Sequence, residues 1–126
     1  MGKKVIVIGA GAAGTMAAGA AAQNGAEVVL FERNEKIARK VMITGKGRCN
    51  VTNNVADTQE FISNIPGNGR FLYSAFSSFN SQDTIDFFES YGVPLKVERG
   101  NRVFPVSDKA VDIVDALVSA VKSVGA

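Results

Sequence analysis

The sequence contains no histidine, and its only cysteine is Cys49. The absence of histidine excludes every His-based catalytic triad. A lone cysteine also excludes an internal disulfide, a C-x-x-C redox pair and a Cys/His zinc site. We therefore predict no metal site, and no residue stands out as a general base.

The chain has little excess of either sign of charge, and it has few long apolar runs. Fourteen Lys and Arg against twelve Asp and Glu give a net charge of +2, too balanced for a nucleic-acid footprint. No run reaches the length of a transmembrane helix once the phased glycines are counted. The basic, alanine-rich start imitates a signal peptide, but cleavage would remove the first strand predicted below. We expect a cytoplasmic α/β protein without nucleic-acid or membrane partners.

Residues 3–32 organise the chain. The β-branched run at residues 5–8 predicts a strand buried on both faces, residues 15–24 predict a helix that ends at Gly25, and residues 28–31 predict a second strand. A G-x-G-x-x-G turn joins the first strand to the helix, and Glu32 follows the second strand. This is the context that a dinucleotide-binding βαβ unit requires.

Each glycine of the turn has its own expected role. Gly9 permits the tight turn, Gly11 lets the backbone approach a pyrophosphate, and Gly14 packs the helix on the sheet. The helix N-terminus offers N–H groups to the phosphates, and Glu32 can accept hydrogen bonds from ribose hydroxyls. A tight strand–helix turn without a ligand is the alternative.

Residues 33–56 show no sustained period and predict a long loop. Lys46 lies between two glycines, and Arg48 and Asn50 follow, so the loop suits a polar ligand. A structural connection is the alternative. Cys49 fits a buried structural role better than a redox role. Four apolar residues are expected to pin the loop to the core: Ile37, Val41, Met42 and Ile43.

Residues 57–126 predict helices and a hairpin. Asp57 and Ser81 are expected to cap two helices, and residues 70–79 show helical spacing between them. Gly100-Asn101 predicts a two-residue hairpin turn. Ser107 is expected to cap the last helix, with Asp108 in its first turn. The apolar stripe of that helix is Ala110, Ile113, Val114, Leu117 and Val121.

Two motifs carry a family resemblance. Residues 43–53 read ITGKGRCNVTN and residues 102–110 read RVFPVSDKA. Together with the glycine turn, Glu32 and Arg39-Lys40, they resemble the BaiN/YhiN-like flavoproteins, a family of NAD(P)/FAD-dependent oxidoreductases. Ala38 and Lys46 stand where that family commonly has glycine.

The resemblance implies an FAD site. It would place the glycine turn on the pyrophosphate, Glu32 on the adenosine ribose, Arg39 and Lys40 beside the phosphates, and residues 45–50 near the flavin. Arg48 and Asn50 are the candidate catalytic residues, NAD(P)H is the expected electron donor, and a small molecule is the expected substrate. The predicted cofactor-binding residues are Gly9, Gly11, Ala12, Ala13, Gly14, Glu32, Arg33, Arg39, Lys40, Gly45, Gly47, Arg48, Cys49 and Asn50.

The predicted fold is α/β, an incomplete Rossmann-like FAD/NAD(P)-binding βαβ domain with an added helical segment and a β-hairpin. Residues 1–126 would form its N-terminal part, divided into a βαβ unit (1–32), a flavin-side loop (33–56) and helices with the hairpin (57–126). The expected function is FAD binding within a longer flavin-dependent oxidoreductase, the fragment alone being inactive. The alternatives are a non-catalytic half-domain and an NAD-binding dehydrogenase domain. Unpaired sheet edges predict self-association.

Overall fold

The computed structural model describes residues 2–125, which form two compact units. The first unit comprises Met1–Cys49 and Ser107–Ala126, and the second comprises Asn50–Val106. The boundary at Cys49 divides the segment that we predicted as one loop. In chain order the elements are β1 (Lys4–Ile8), α1 (Ala12–Gln23), β2 (Glu27–Phe31), α2 (Arg39–Ile43), β3 (Thr52–Asn53), α3 (Thr58–Ser63), α4 (Tyr73–Ser78), α5 (Ser81–Ser90), β4 (Leu95–Glu98), β5 (Arg102–Pro105) and α6 (Ala110–Ser123).

The first unit contains the βαβ core. Strands β1 and β2 pair in parallel, with Val5 opposite Val28 and Ile8 opposite Phe31. Helix α1 connects them, as a parallel pair requires. It begins at Ala12, earlier than the alanine-rich run suggested, and ends before Gly25, whose φ of 87° suits glycine. This arrangement confirms the Rossmann-like α/β fold.

One face of the parallel sheet is open. Ile6, Ile8, Val29 and Phe31 are 59%, 85%, 39% and 55% exposed, whereas Val28 on the other face is buried. The prediction that residues 5–8 are buried on both faces is therefore wrong. Helix α1 packs on the sheet, but no element of residues 2–125 covers these four side chains.

The segment after β2 is more ordered than expected. Helix α2 lies where the sequence predicted a loop, and Thr44–Gly47 forms a tight turn in which Gly45 and Lys46 have left-handed backbone conformations. Their shortness explains the missing periodicity, because neither element completes two helical turns. Of the four residues predicted to pin this segment, Ile37, Val41 and Met42 are half-buried, but Ile43 is 71% exposed and the prediction for it is wrong.

Helix α6 completes the first unit by packing on α1 and α2. Its predicted apolar stripe is confirmed, since all five side chains are buried. The predicted start is wrong, because Lys109 rather than Ser107 is the N-cap. Asp108 precedes the helix at a φ of 59° and pairs with Arg48. Ser107 still assists locally, since its Oγ accepts a hydrogen bond from the Lys109 N–H at 3.2 Å.

The second unit is built on a three-stranded antiparallel sheet in the order β3-β5-β4. The β4–β5 hairpin is confirmed, although three residues, Arg99–Asn101, connect its strands rather than two. Gly100 and Asn101 in this connection have φ values of 75° and 58°. Strand β3 was not predicted, because two residues are too short to show an alternating pattern.

The helices of the second unit begin at polar caps. The Asp57 carboxylate accepts a hydrogen bond from the Glu60 N–H at 2.9 Å, which confirms the predicted cap of α3. Helix α5 is capped by Asn80, not Ser81, through a reciprocal pair of hydrogen bonds with Asp83. Residues 70–79 form a 3₁₀ turn followed by α4, and of their aromatic residues only Phe76 is buried. No helix within residues 2–125 is long and apolar enough to cross a membrane.

Candidate functional site

The turn between β1 and α1 has the backbone geometry that its glycines predict. Gly9 adopts a φ of 96°, and its N–H donates to the Phe31 carbonyl at 2.8 Å, which ties the turn to the end of β2. A Cβ built on Gly14 would lie 1.7 Å from the Gly9 carbonyl oxygen. Only glycine therefore lets α1 approach β1 this closely.

Gly11 is the N-cap of α1, and no side chain caps the helix. A Cβ at Gly11 or Gly9 would meet nothing within 4 Å, so both glycines border open space. The first-turn N–H groups of a helix have no intrahelical partner and carry the positive end of its dipole. Those of Ala12 and Ala13 belong to this first turn. The turn can therefore receive a phosphate group.

Glu32 is held in place by three hydrogen bonds. Its Oε1 accepts from the Ala10 N–H at 3.0 Å, and its Oε2 accepts from the backbone and side-chain N–H groups of Asn34 at 2.8 and 2.9 Å. The pKa of the Glu32 carboxyl is lowered chiefly by the hydrogen bond from the Asn34 backbone N–H and then by that from the Ala10 N–H. The Asn34 side-chain bond and the charge of Arg33 lower it further, whereas partial loss of solvation raises it. The carboxylate therefore stays ionised.

A cleft of about 570 Å³ joins the glycine turn to Glu32. This volume lies within the range of small-molecule sites. Its lining residues are Ile8, Gly9, Ala10, Gly11, Phe31, Glu32, Arg33, Asn34, Arg39 and Lys40. A second cleft of about 490 Å³ lies beside it and is lined by Arg33, Asn34, Glu35, Lys36 and Arg39. Six predicted cofactor-binding residues thus meet at one cleft: Gly9, Gly11, Glu32, Arg33, Arg39 and Lys40.

Ala38 immediately precedes Arg39, which lines the cleft. It is buried, and its N–H donates to the Ala10 carbonyl at 2.7 Å. Its φ of 56° is left-handed, a conformation that glycine adopts at lower cost. The structure thereby explains why glycine suits this position. Arg39 and Lys40 begin α2 directly afterwards, and the Arg39 Nη1 lies 3.5 Å from the Asn34 Oδ1.

The predicted flavin-side residues of the first unit do not line this cleft. Gly45, Lys46, Gly47 and Cys49 all have positive φ values, so the segment is a tightly turned loop. The Arg48 guanidinium holds Asp108, with Nε and Nη2 at 2.9 and 2.7 Å from its Oδ1. Arg48 therefore carries its charge within an ion pair.

Cys49 is 4% exposed. Burial raises the pKa of its thiol above the ordinary value of 9.0, although a hydrogen bond with Thr44 acts in the opposite direction. A thiol with a raised pKa is a poor nucleophile at neutral pH, so the site favours a structural role for this residue.

Asn50 and Asn53 belong to the second unit and are engaged there. With its amide turned to suit its neighbours, Asn50 donates to the carbonyls of Thr52 and Val103 at 2.9 and 3.2 Å. The Asn53 Oδ1 accepts from the Ser81 hydroxyl at 2.9 Å and from the Val55 N–H at 3.1 Å. Both asparagines therefore stabilise the fold around β3.

Four residues of the cleft were not predicted from the sequence. Ile8, Ala10 and Phe31 lie at the ends of the two strands, where the carboxyl edge of a parallel sheet forms ligand sites. Asn34 holds Glu32, and its only signal was its position two residues beyond the acid. Among residues 2–125, no group of three or more potential metal ligands is present.

Comparison with known proteins identifies the family. The HI0933-like protein Rossmann domain matches residues 3–126 of the chain. The chain belongs to the HI0933-like family. This is the Rossmann-type, dinucleotide-binding flavoprotein family that the two sequence motifs resemble, and it includes a named reductase.

Relatives of the HI0933-like chain carry two different names. A 3-dehydro-bile acid delta(4,6)-reductase of Clostridium scindens is 35% identical over 90% of this chain, and a ribosomal RNA dihydrouridine synthase of Escherichia coli is 36% identical over 90%. A protein of Haemophilus influenzae with the latter name is 32% identical over 96%. The chain spans only 27–29% of the length of these relatives.

Proposed function

We propose that this chain binds FAD in the cleft beside its glycine turn. One observation supports the proposal most directly: an ionised Glu32 faces the same cleft as the open backbone of Gly9 and Gly11. Each carboxylate oxygen can accept about two hydrogen bonds, and the Oε1 accepts one from Ala10. It therefore retains capacity for a ribose hydroxyl.

The cleft also fits the phosphates of a dinucleotide. Gly9 and Gly11 leave room for a pyrophosphate against the N-terminus of α1, where the helix dipole favours negative charge. Arg39 and Lys40 add two positive charges to the same cleft. Gly45, Gly47, Arg48, Cys49 and Asn50 are proposed to serve the flavin end, on the family resemblance alone.

The test is retention of flavin by the purified chain. We expect the chain to keep a flavin absorption spectrum after incubation with FAD and removal of unbound cofactor. Glu32→Gln should weaken binding by about tenfold, the value of one strong hydrogen bond to a charged group. Glu89→Gln is the matched control, because Glu89 is exposed on α5 in the other unit. A folded chain that binds neither FAD nor ADP would refute the proposal.

We further propose that the full-length protein reduces a carbon–carbon double bond, with NAD(P)H as electron donor. The names of the relatives support this, since a delta(4,6)-reductase acts at double bonds and dihydrouridine is uridine with one ring double bond reduced. Bound FAD would supply the hydride chemistry. The chain's part would be to bind and orient it, with Arg48 and Asn50 as candidate catalytic residues.

Reductase activity is tested on the full-length protein without oxygen. We expect NADH or NADPH to bleach the flavin, and a conjugated ketone or uridine-containing RNA to restore its colour. The acceptor that does so distinguishes a small-molecule substrate, which we expect, from RNA. A flavin that neither nicotinamide reduces would contradict the proposal. We place this activity in the cytoplasm, because a chain with one buried thiol uses no disulfide of an oxidising compartment.

A further inference from the structure

The region around Glu32 contains a residue to which neither the motifs nor the family assignment gives a role. Asn34 directs two donors at one oxygen of the Glu32 carboxylate, its backbone N–H at 2.8 Å and its Nδ2 at 2.9 Å. The Ala10 N–H approaches the other oxygen at 3.0 Å. Donors on both oxygens fix the plane of the carboxylate as well as its position.

The opposite end of the Asn34 amide faces Arg39. The Asn34 Oδ1 lies 3.5 Å from the Arg39 Nη1, so the amide links the acid to a cation on the same cleft. An amide suits this place because it offers a donor to the carboxylate and an acceptor to the guanidinium. Aspartate would offer no donor there, and alanine would offer neither group.

From this geometry we infer that Asn34 is a positioning residue that presets Glu32 to receive the adenosine ribose of the cofactor. The inference rests on the proposed dinucleotide function. Asn34 acts before any ligand arrives, because its three polar groups are already engaged with Glu32 and Arg39. A carboxylate fixed in advance binds its ligand at a lower cost in conformational entropy.

Charge also matters at this site. Arg33 favours the ionised form of Glu32, as do the Asn34 and Ala10 N–H groups, and Arg39 and Lys40 line the same cleft. Replacing Asn34 by aspartate would set a second carboxylate against the Oε2 of Glu32. Two close carboxylates disfavour ionisation of both, so the pKa of Glu32 would rise.

The experiment measures ADP binding to the cofactor-free chain by calorimetry at several pH values. At neutral pH, we expect Asn34→Ala to lower ADP affinity about threefold, because water replaces the side-chain hydrogen bond to the Glu32 carboxylate. Asn34→Asp should lower ADP affinity about tenfold or more, because repulsion between two carboxylates replaces that bond. The pH below which binding weakens should rise in the Asp variant. Asn24→Ala is the matched control, because its side-chain amide donates to the Ala20 carbonyl at the end of α1 and Asn24 does not line the cleft.

A double-mutant cycle separates positioning from general structural damage. In a Glu32→Gln background Asn34→Ala should lose most of its effect, because no carboxylate remains for the Asn34 side chain to hold. Equal losses in both backgrounds would overturn the inference, and so would an unchanged pH profile in the Asp variant. Failure of the unaltered chain to bind either FAD or ADP would instead overturn the proposed function. Circular dichroism confirms that each variant is folded.

Discussion

Gly14→Ala should destabilise the first unit far more than the same change at Gly11. The Cβ added at position 14 would lie 1.7 Å from the Gly9 carbonyl oxygen, a distance that real Cβ atoms do not reach. The clash is with backbone, and Gly9 is itself bonded to Phe31. The turn therefore cannot yield without moving α1 away from the sheet.

The magnitude follows from two opposing terms. The added Cβ must move about 1.3 Å away from the Gly9 carbonyl oxygen for their separation to reach 3.0 Å. A shift of this size corresponds to the upper end of the cost of overpacking a core, about 3 kcal/mol. The higher helix propensity of alanine offsets about 1 kcal/mol of this loss in stability. We expect a net loss of about 2 kcal/mol in the free energy of unfolding, or about 8 °C in melting temperature for a chain of this size.

Gly11→Ala is the matched control. Its Cβ would enter open space, and its φ of −85° is allowed for alanine. Replacing an N-cap glycine by alanine costs about 0.5 kcal/mol, so this variant should stay folded. It should nevertheless bind ADP about tenfold more weakly, because its methyl group occupies the space proposed for the pyrophosphate.

The assay compares thermal and urea unfolding of the three proteins by circular dichroism, followed by ADP titration. The expected pattern is low stability for Gly14→Ala and low affinity with near-normal stability for Gly11→Ala. If Gly14→Ala unfolds within about 0.5 kcal/mol of the unaltered chain, which is the range of an ordinary surface change, the close packing of α1 on β1 is refuted.

Four further predictions concern pH, reactivity, stability and assembly. The pKa of Glu32 lies below its ordinary value of 4.5, so the difference in ADP affinity between the unaltered chain and Glu32→Gln should stay constant as pH falls from about 8 to 5 and shrink only at more acidic pH; a difference that shrinks near pH 6 would contradict this. The Cys49 thiol should react slowly with iodoacetamide at pH 7 and rapidly after unfolding; equal rates would exclude burial. Asn80→Ala should cost about 1 kcal/mol in urea unfolding, whereas Asn68→Ala, which removes no capping bond, should cost little. Sedimentation should detect self-association of the isolated chain, weakened by Ile8→Asp at the open sheet face; a monomer at high concentration would contradict this.

Local sequence patterns predicted those helices, strands and turns that short stretches of neighbouring residues specify. The β-branched runs, the glycine turn and the acid after the second strand identified the βαβ unit, because each strand and turn has its own short-range chemistry. The Asp57 cap and the apolar stripe of α6 were equally local. Shorter elements escaped, since α2 and β3 are too brief to establish a period.

Long-range pairings could not be predicted in this way. Asp108 carried the local signature of a helix start, yet it binds Arg48, which is sixty positions away in the sequence. Asn34 resembled an ordinary loop residue until the fold brought its two donors to one carboxylate oxygen. In both cases the partner of the side chain depends on how the chain folds in three dimensions.

The sequence by itself determined the class of site, because a phosphate turn and a ribose acid need particular residues at particular spacings. Only the tertiary structure decided which predicted residues share one cleft: Glu32 and Arg39 do, whereas Arg48 and Asn50 do not line it. It also decided that the face carrying Ile8 and Phe31 is exposed. The physical reason is that burial and ion pairing depend on which elements pack together, and residue spacing does not record that.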